Sequence, residues 1–114
     1  MFPYTSKSLL NLPTPMQNNE IYQSLLLGEG IRIERIVSNE TTPSNTDWYD
    51  QEEDEWVMIV SGSAVLEDMN GDQISLHAGE YIYLPRHFRH QVVSTTTPCI
   101  WLAIFGSFTP ADSA

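Results

Sequence analysis

The chain has 114 residues, 41% of them hydrophobic, with one cysteine and a formal net charge of −10 from five Lys and Arg against fifteen Asp and Glu. That length suits one compact domain burying roughly two-thirds of its unfolded surface, with no room for a second. The acidic balance argues against nucleic acid and anionic membrane as partners, because both are bound by neutralising phosphate. No apolar run approaches the about 20 residues that span a bilayer. The lone Cys99 cannot form an intrachain disulfide, and the N-terminus lacks a basic segment followed by a continuous apolar one. A cytoplasmic location is the expectation.

In chain order, residues 1–15 carry Pro3, Pro13 and Pro15 around Leu9, Leu10 and Leu12. This reads as an extended arm docked on the rest of the chain or on a partner subunit. Within residues 16–108, strands are predicted over 20–27 and 31–37, joined by the tight turn Gly28-Glu29-Gly30. A polar connector over 38–47 leads to strands over 56–61 and 63–68. Asn70-Gly71 then turns the chain into 73–76. Further strands follow over 81–84, 91–94 and 100–105, and no segment has a useful 3.6-residue apolar period. Residues 109–114 read as a flexible tail. Many short strands with regular turns predict a sandwich or barrel of two packed antiparallel sheets. Alternation puts Val57, Ile59, Ile82, Leu84 and Val92 inside.

Six of the acids lie between Asp47 and Glu55. A run this dense normally forms a solvated loop, which is the expectation for Glu52, Glu53 and Asp54. Glu55 differs, because it directly precedes the β-forming run Trp56-Val57-Met58-Ile59-Val60 and enters the sheet with it. Cys99 precedes an apolar strand and reads as a buried structural thiol. There is no glycine-rich phosphate loop and no nucleophile elbow.

Two stretches carry the chemistry: Trp48-Tyr49-Asp50-Gln51-Glu52-Glu53-Asp54-Glu55, running on to Gly62, and Gly79-Glu80-Tyr81-Ile82-Tyr83-Leu84-Pro85-Arg86-His87-Phe88-Arg89-His90. Together they resemble the paired motifs of the cupin superfamily over roughly residues 31–105. Glu55 and Gly62 hold the spacing of the first motif, and Gly79, Pro85 and His90 that of the second. The two histidines of the first motif are absent, their places falling on Tyr49 and Gln51 or on Trp48 and Asp50. His87 stands where the family usually has glycine. The resemblance implies an all-β jelly-roll barrel, or double-stranded β-helix, of the small single-domain bacterial cupin type.

It also implies a divalent metal site for Zn, Fe, Mn or Ni, held by Gln51, Glu55 and His90. Two missing imidazoles weaken such a site, since imidazole holds these ions far better than an amide or a neutral phenol. For His90 two readings stand side by side: a metal ligand, or a buried imidazole bonded to Glu55 or to a tyrosine. Glu55 and His90 are the candidate catalytic pair, and Tyr49, Tyr81, Tyr83 and His87 are candidate pocket residues beside them. His77 is expected to be exposed. Arg35, Arg86 and Arg89 favour an acidic ligand if one of them faces the cavity, and otherwise pair with surface carboxylates.

Two functions follow. One is an enzyme acting on a small polar or acidic metabolite, with a metal or with Glu55 and His90 as an acid–base pair; the other is a non-catalytic small-ligand-binding module. Exposed sheet edges and the apolar arm make a homodimer the expected assembly.

Overall fold

The structure is a computed structural model that describes residues 1–16, 20–40 and 48–111. These residues contain eight strands and no helix: β1 Ile21–Gly28, β2 Ile31–Ser38, β3 Asp54–Ser61, β4 Ser63–Asp68, β5 Gln73–His77, β6 Tyr81–Leu84, β7 His90–Thr95 and β8 Cys99–Gly106. Each lies within two residues of a predicted strand at both ends. They form a five-stranded sheet of order β1-β2-β8-β3-β6 and a three-stranded sheet of order β5-β4-β7. All their pairings are antiparallel, as in a jelly roll.

Alternation along β3 sets the inner face. Glu55, Val57 and Ile59 lie opposite Phe105, Ala103 and Trp101 of β8, and residues opposite one another project to the same side. Glu55 and Val57 also face Leu84 and Ile82 of β6. Ala64, Leu66 and Leu76 of the smaller sheet close onto this layer to form the core. Val57, Ile59 and Leu84 are buried as expected, while Ile82 and Val92 pack half-buried against them. Each fully buried aliphatic side chain contributes roughly 1.5–3 kcal/mol through removal from water.

The turns follow their residues. Gly30 and Gly71 both take positive φ in the hairpins that carry them. The Asp68 carboxylate accepts from the Asn70 and Asp72 amides and pins the second hairpin. At the corner where the chain leaves the large sheet for the small one, Gly62 has φ +91°, and a Cβ there would collide with Thr96 Oγ1 and press on the Pro98 carbonyl. Gly79 also needs its positive φ, but has open space around it.

The N-terminal arm lies against its own β2. Buried Arg35 donates from Nη1 to the Leu9 and Asn11 carbonyls and from Nε to Gln23 Oε1. Leu10 and Leu12 stay substantially exposed. Of the expected tail, 109–111 is exposed and 112–114 lies outside the described residues, as do 41–47 of the connector.

Two outcomes test this account. Gly62→Ala should cost about 2 kcal/mol or more in chemical denaturation, because strain and collision add. Gly79→Ala, which meets no neighbour, should cost about half as much. Arg35→Ala should leave the barrel folded but expose residues 1–16 to protease and raise their amide exchange, since one guanidinium supplies both of the arm's side-chain bonds to β2.

Candidate functional site

The two sequence stretches meet through the backbone. The Tyr49 amide donates to the His90 carbonyl at 2.7 Å, and the His90 amide donates back to the Tyr49 carbonyl at 3.2 Å. The His87 amide donates to the Gln51 carbonyl at 2.8 Å. These bonds hold 49–51 against the entry to β7 and bring Tyr49 onto the His90 imidazole, with ring centroids 5.5 Å apart and planes 26° from parallel. Phe88 stacks on the same imidazole at 6.3 Å. From β3, Glu55 reaches the same place, its Oε1 3.9 Å from His90 Nε2.

A cavity of about 70 Å³ opens here between the sheets. Tyr49, Gln51, Glu55 and His90 all line it, so the four residues singled out around the two motifs converge. Glu20, just before the edge strand β1, and Tyr22 within it join them, with Trp101 on the inner wall. Tyr22 is largely exposed and lies at the mouth, its hydroxyl donating to Glu20 Oε2 at 2.6 Å. A second cavity touches His90 beside β4 and β5; of the carboxylates there, Glu67 is engaged by Gln73 and Gln91 and Asp68 by its turn, while Asp72 is exposed.

The electrostatics of the first cavity come from burial. Only 9% of the Glu55 side chain is exposed, and no described residue donates a hydrogen bond to it. Desolvation, with a smaller push from Glu34 and a partial offset from Arg32, lifts its carboxyl to about 7. Burial also lowers the His90 imidazole, although its bond to the Phe88 carbonyl works the other way. His90 Nδ1 lies 2.9 Å from that carbonyl, an acceptor, so Nδ1 carries the proton and Nε2 presents its lone pair toward Glu55. Tyr49 and Tyr22 are both raised, chiefly by desolvation, and remain neutral phenols.

Three pocket expectations are corrected. Tyr81 and Tyr83 alternate with the inward Ile82 and Leu84, so they stand on the outer face of the large sheet, where Tyr81 packs on Trp56 and the Tyr83 hydroxyl donates to the Phe108 carbonyl. His87 is exposed outside the cavity with φ +63° and its Nδ1 2.8 Å from Asp50 Oδ1. That left-handed backbone explains why glycine suits the position in similar sequences, and the turn directs the imidazole outward. Asp54 is also not a loop carboxylate. It is buried, accepting from the Phe108 and Arg86 amides and from the Arg86 guanidinium, which together hold it well below the usual carboxylate range.

No arginine lines the cavity. Arg35 holds the arm, Arg86 pairs with Asp54, and Arg89 pairs with Asp50. His77 is exposed beside Glu80, as expected. Cys99 is buried, and burial pushes its thiol up to about 11, as suits a structural thiol.

The motif positions offer a metal one imidazole, one carboxylate, one amide and one phenol whose proton is held more tightly than usual, with the Glu20 carboxylate further out in the lining. Among the described residues no three His, Cys, Asp or Glu side chains cluster to hold an ion. This set does not fit firm retention of Zn, Fe, Mn or Ni, which need further imidazole, thiolate or carboxylate ligands.

Glu20, Tyr22 and Trp101 were not expected in the lining. All three lie on strands that were predicted, but only the pairing of β1, β2 and β8 decides which alternate residues face inward. Also among the described residues, no helix is long and apolar enough to cross a membrane.

Comparison with known proteins agrees with this architecture. A protein from Ralstonia eutropha JMP134, named as a candidate mannose-6-phosphate isomerase, is 36% identical, with a TM-score of 0.80 over 92% of this chain and 100% of that one. A cupin superfamily protein from Desulfitobacterium hafniense DCB-2 shares the fold at 17% identity and a TM-score of 0.75, over 93% and 94% of the two chains. FeII HppE shares it at 13% identity and 0.67, over 76% and 50%. No match was found among curated proteins. The cupin-domain family model matches residues 35–105, spanning both stretches that build the cavity, and the chain belongs to the cupin family.

Proposed function

We propose that the protein binds a small polar molecule in its barrel cavity and moves a proton on it with Glu55 and His90, without a firmly held transition metal. The observation that carries this reading is the buried pair itself: a carboxyl brought to about 7 facing a neutral Nε2 lone pair 3.9 Å away. Near neutral pH Glu55 is present both as acid and as base, which is where general acid–base catalysis is most effective. A substrate C–H or O–H placed between them can give its proton to one group and receive one from the other. Isomerisation is a reaction class such a pair serves, and it is the class in the name of the 36% identical Ralstonia protein. The phosphate in that name is less well matched, because no Lys or Arg lines this cavity. Binding without catalysis is the second reading, favoured by the small size of the cavity, about 70 Å³.

A metabolite screen in D2O separates the readings. Ligands found by thermal shift are followed by NMR for deuterium entering a carbon-bound position. The expected result is exchange in the wild type that falls by roughly 100-fold or more in Glu55→Gln and in His90→Asn, with binding retained by His90→Asn. Binding without exchange by any ligand would reduce the protein to a binding module. Retention of stoichiometric metal by untagged protein, lost in both variants, would reinstate the metal site.

Burial of Glu55 also predicts a pH-dependent stability. Its folded-state value lies above the ordinary 4.5, so the folded state favours the protonated form. Stability from this group is full below about 4.5 and falls as pH rises through about 7. The shift corresponds to roughly 3 kcal/mol. Glu55→Gln, which cannot ionise, should therefore melt higher than wild type at pH 8 and at nearly the same temperature at pH 4.

A further inference from the structure

Resting on the reading of this cavity as a ligand site, we propose that its ligand is a small organic cation, with an ammonium or guanidinium head group entering the barrel between Glu20 and Glu55. The lining carries two carboxyl groups, one at the mouth and one at the floor, and aromatic side chains from Tyr22, Tyr49 and Trp101 between them. None of the five basic residues of the chain lines it. Lys7 belongs to the arm, Arg35 is spent on the arm's carbonyls, and Arg86 and Arg89 pair with Asp54 and Asp50. Arg32 comes nearest, stacking on the Phe105 ring at 4.2 Å, but its guanidinium is already engaged by Glu34 and Glu53.

Glu55 makes this more than a cluster of acids. Its side chain is more than nine-tenths buried, it lines the cavity, and among the described residues it has no hydrogen-bond donor. A carboxylate in that state is relieved by a donor that also brings positive charge. The aromatic side chains of the lining add attraction for a cation wherever a ring face meets the head group. An anionic ligand would instead be placed beside Glu20 and Glu55, with Glu34 behind them and no counter-charge in the lining. The volume, about 70 Å³, suits a head group of a few heavy atoms, the remainder of the ligand passing out beside exposed Tyr22. The net charge of −10 favours approach of the same class of ligand.

The test uses the full chain at pH 8 and constant ionic strength, with methylammonium and guanidinium as cationic probes, acetate and methyl phosphate as anionic ones, and glycerol as a neutral one. Binding is followed by NMR shifts of the Tyr22, Tyr49 and His90 resonances. The expected result is saturable shifts with the cations only, weakened at least tenfold by Glu55→Gln and unchanged by His87→Gly, whose side chain lies outside the cavity. Glycerol or an anion moving the same resonances with equal or higher affinity would overturn the cation assignment while leaving the ligand site intact. Cation shifts insensitive to Glu55→Gln would overturn it as well. No shift with any probe would overturn both the assignment and the reading of the cavity on which it rests.

Discussion

The pair of backbone hydrogen bonds between Tyr49 and His90 is the constraint on which the site depends. It lies outside the named strands, as an isolated bridge between the segment before β3 and the first residue of β7. Without it Tyr49 would not cover the imidazole, Gln51 would not reach the lining, and the mouth near His90 would lose one wall. The His87 amide adds a third bond to the same seam by donating to the Gln51 carbonyl. That geometry requires a left-handed residue, and a β-carbon is tolerated there because His87 is anchored outside by Asp50. The outer surface of the seam is therefore a charge cluster of His87, Asp50 and Arg89, while its inner surface is the Tyr49–His90 stack.

Adjacent residues at the start of β3 show how position decides chemistry. Asp54 and Glu55 are both buried carboxylates. Asp54 points to the rim, where two backbone amides and a guanidinium hold it ionised and tie β3 to the Arg86 turn and to Phe108. Glu55 points inward, finds no donor among the described residues, and is pushed toward its neutral form. One carboxylate is structural and satisfied; the other is left poised. Unsatisfied buried polar groups are costly, so proteins retain few of them outside working sites. Glu55 keeps only the opening of the cavity for its carboxyl, in a barrel otherwise held by apolar packing between the two sheets.

The loss of the first-motif histidines changes the centre of the barrel from a ligand set for a metal into an anionic, aromatic pocket. Tyr49 and Gln51 keep the lining positions, but bring a neutral phenol and an amide. With Glu20, just before β1, and Tyr22 of β1 at the mouth, this lining is what supports the proposed proton transfer and recognition of positive charge. Shared fold with an iron-containing protein at 13% identity does not alter this, because the fold positions the residues and the residues determine the chemistry.

The eight described strands and the glycine-bearing turns at 28–30, 70–71 and 78–79 were legible in the sequence, because period-two alternation and turn glycines are local signals. Convergence of Tyr49, Gln51, Glu55 and His90 was legible too, through motif spacing. Other features depended on pairing between distant segments. The inward face of β6 followed from its register with β3, which turned Tyr81 and Tyr83 outward although they flank the motif. The burial of Asp54 came from donors at Arg86 and Phe108, far along the chain, which no reading of an acidic run could supply. The destination of Arg35 depended on the arm folding back across β2, and the contributions of Glu20, Tyr22 and Trp101 on which sides of β1 and β8 the sheet turned inward. The sequence by itself determined which segments are strands and which residues are chemically capable. Only the tertiary structure decided which of them share a desolvated space, because burial and charge pairing are set by contacts between residues remote in sequence.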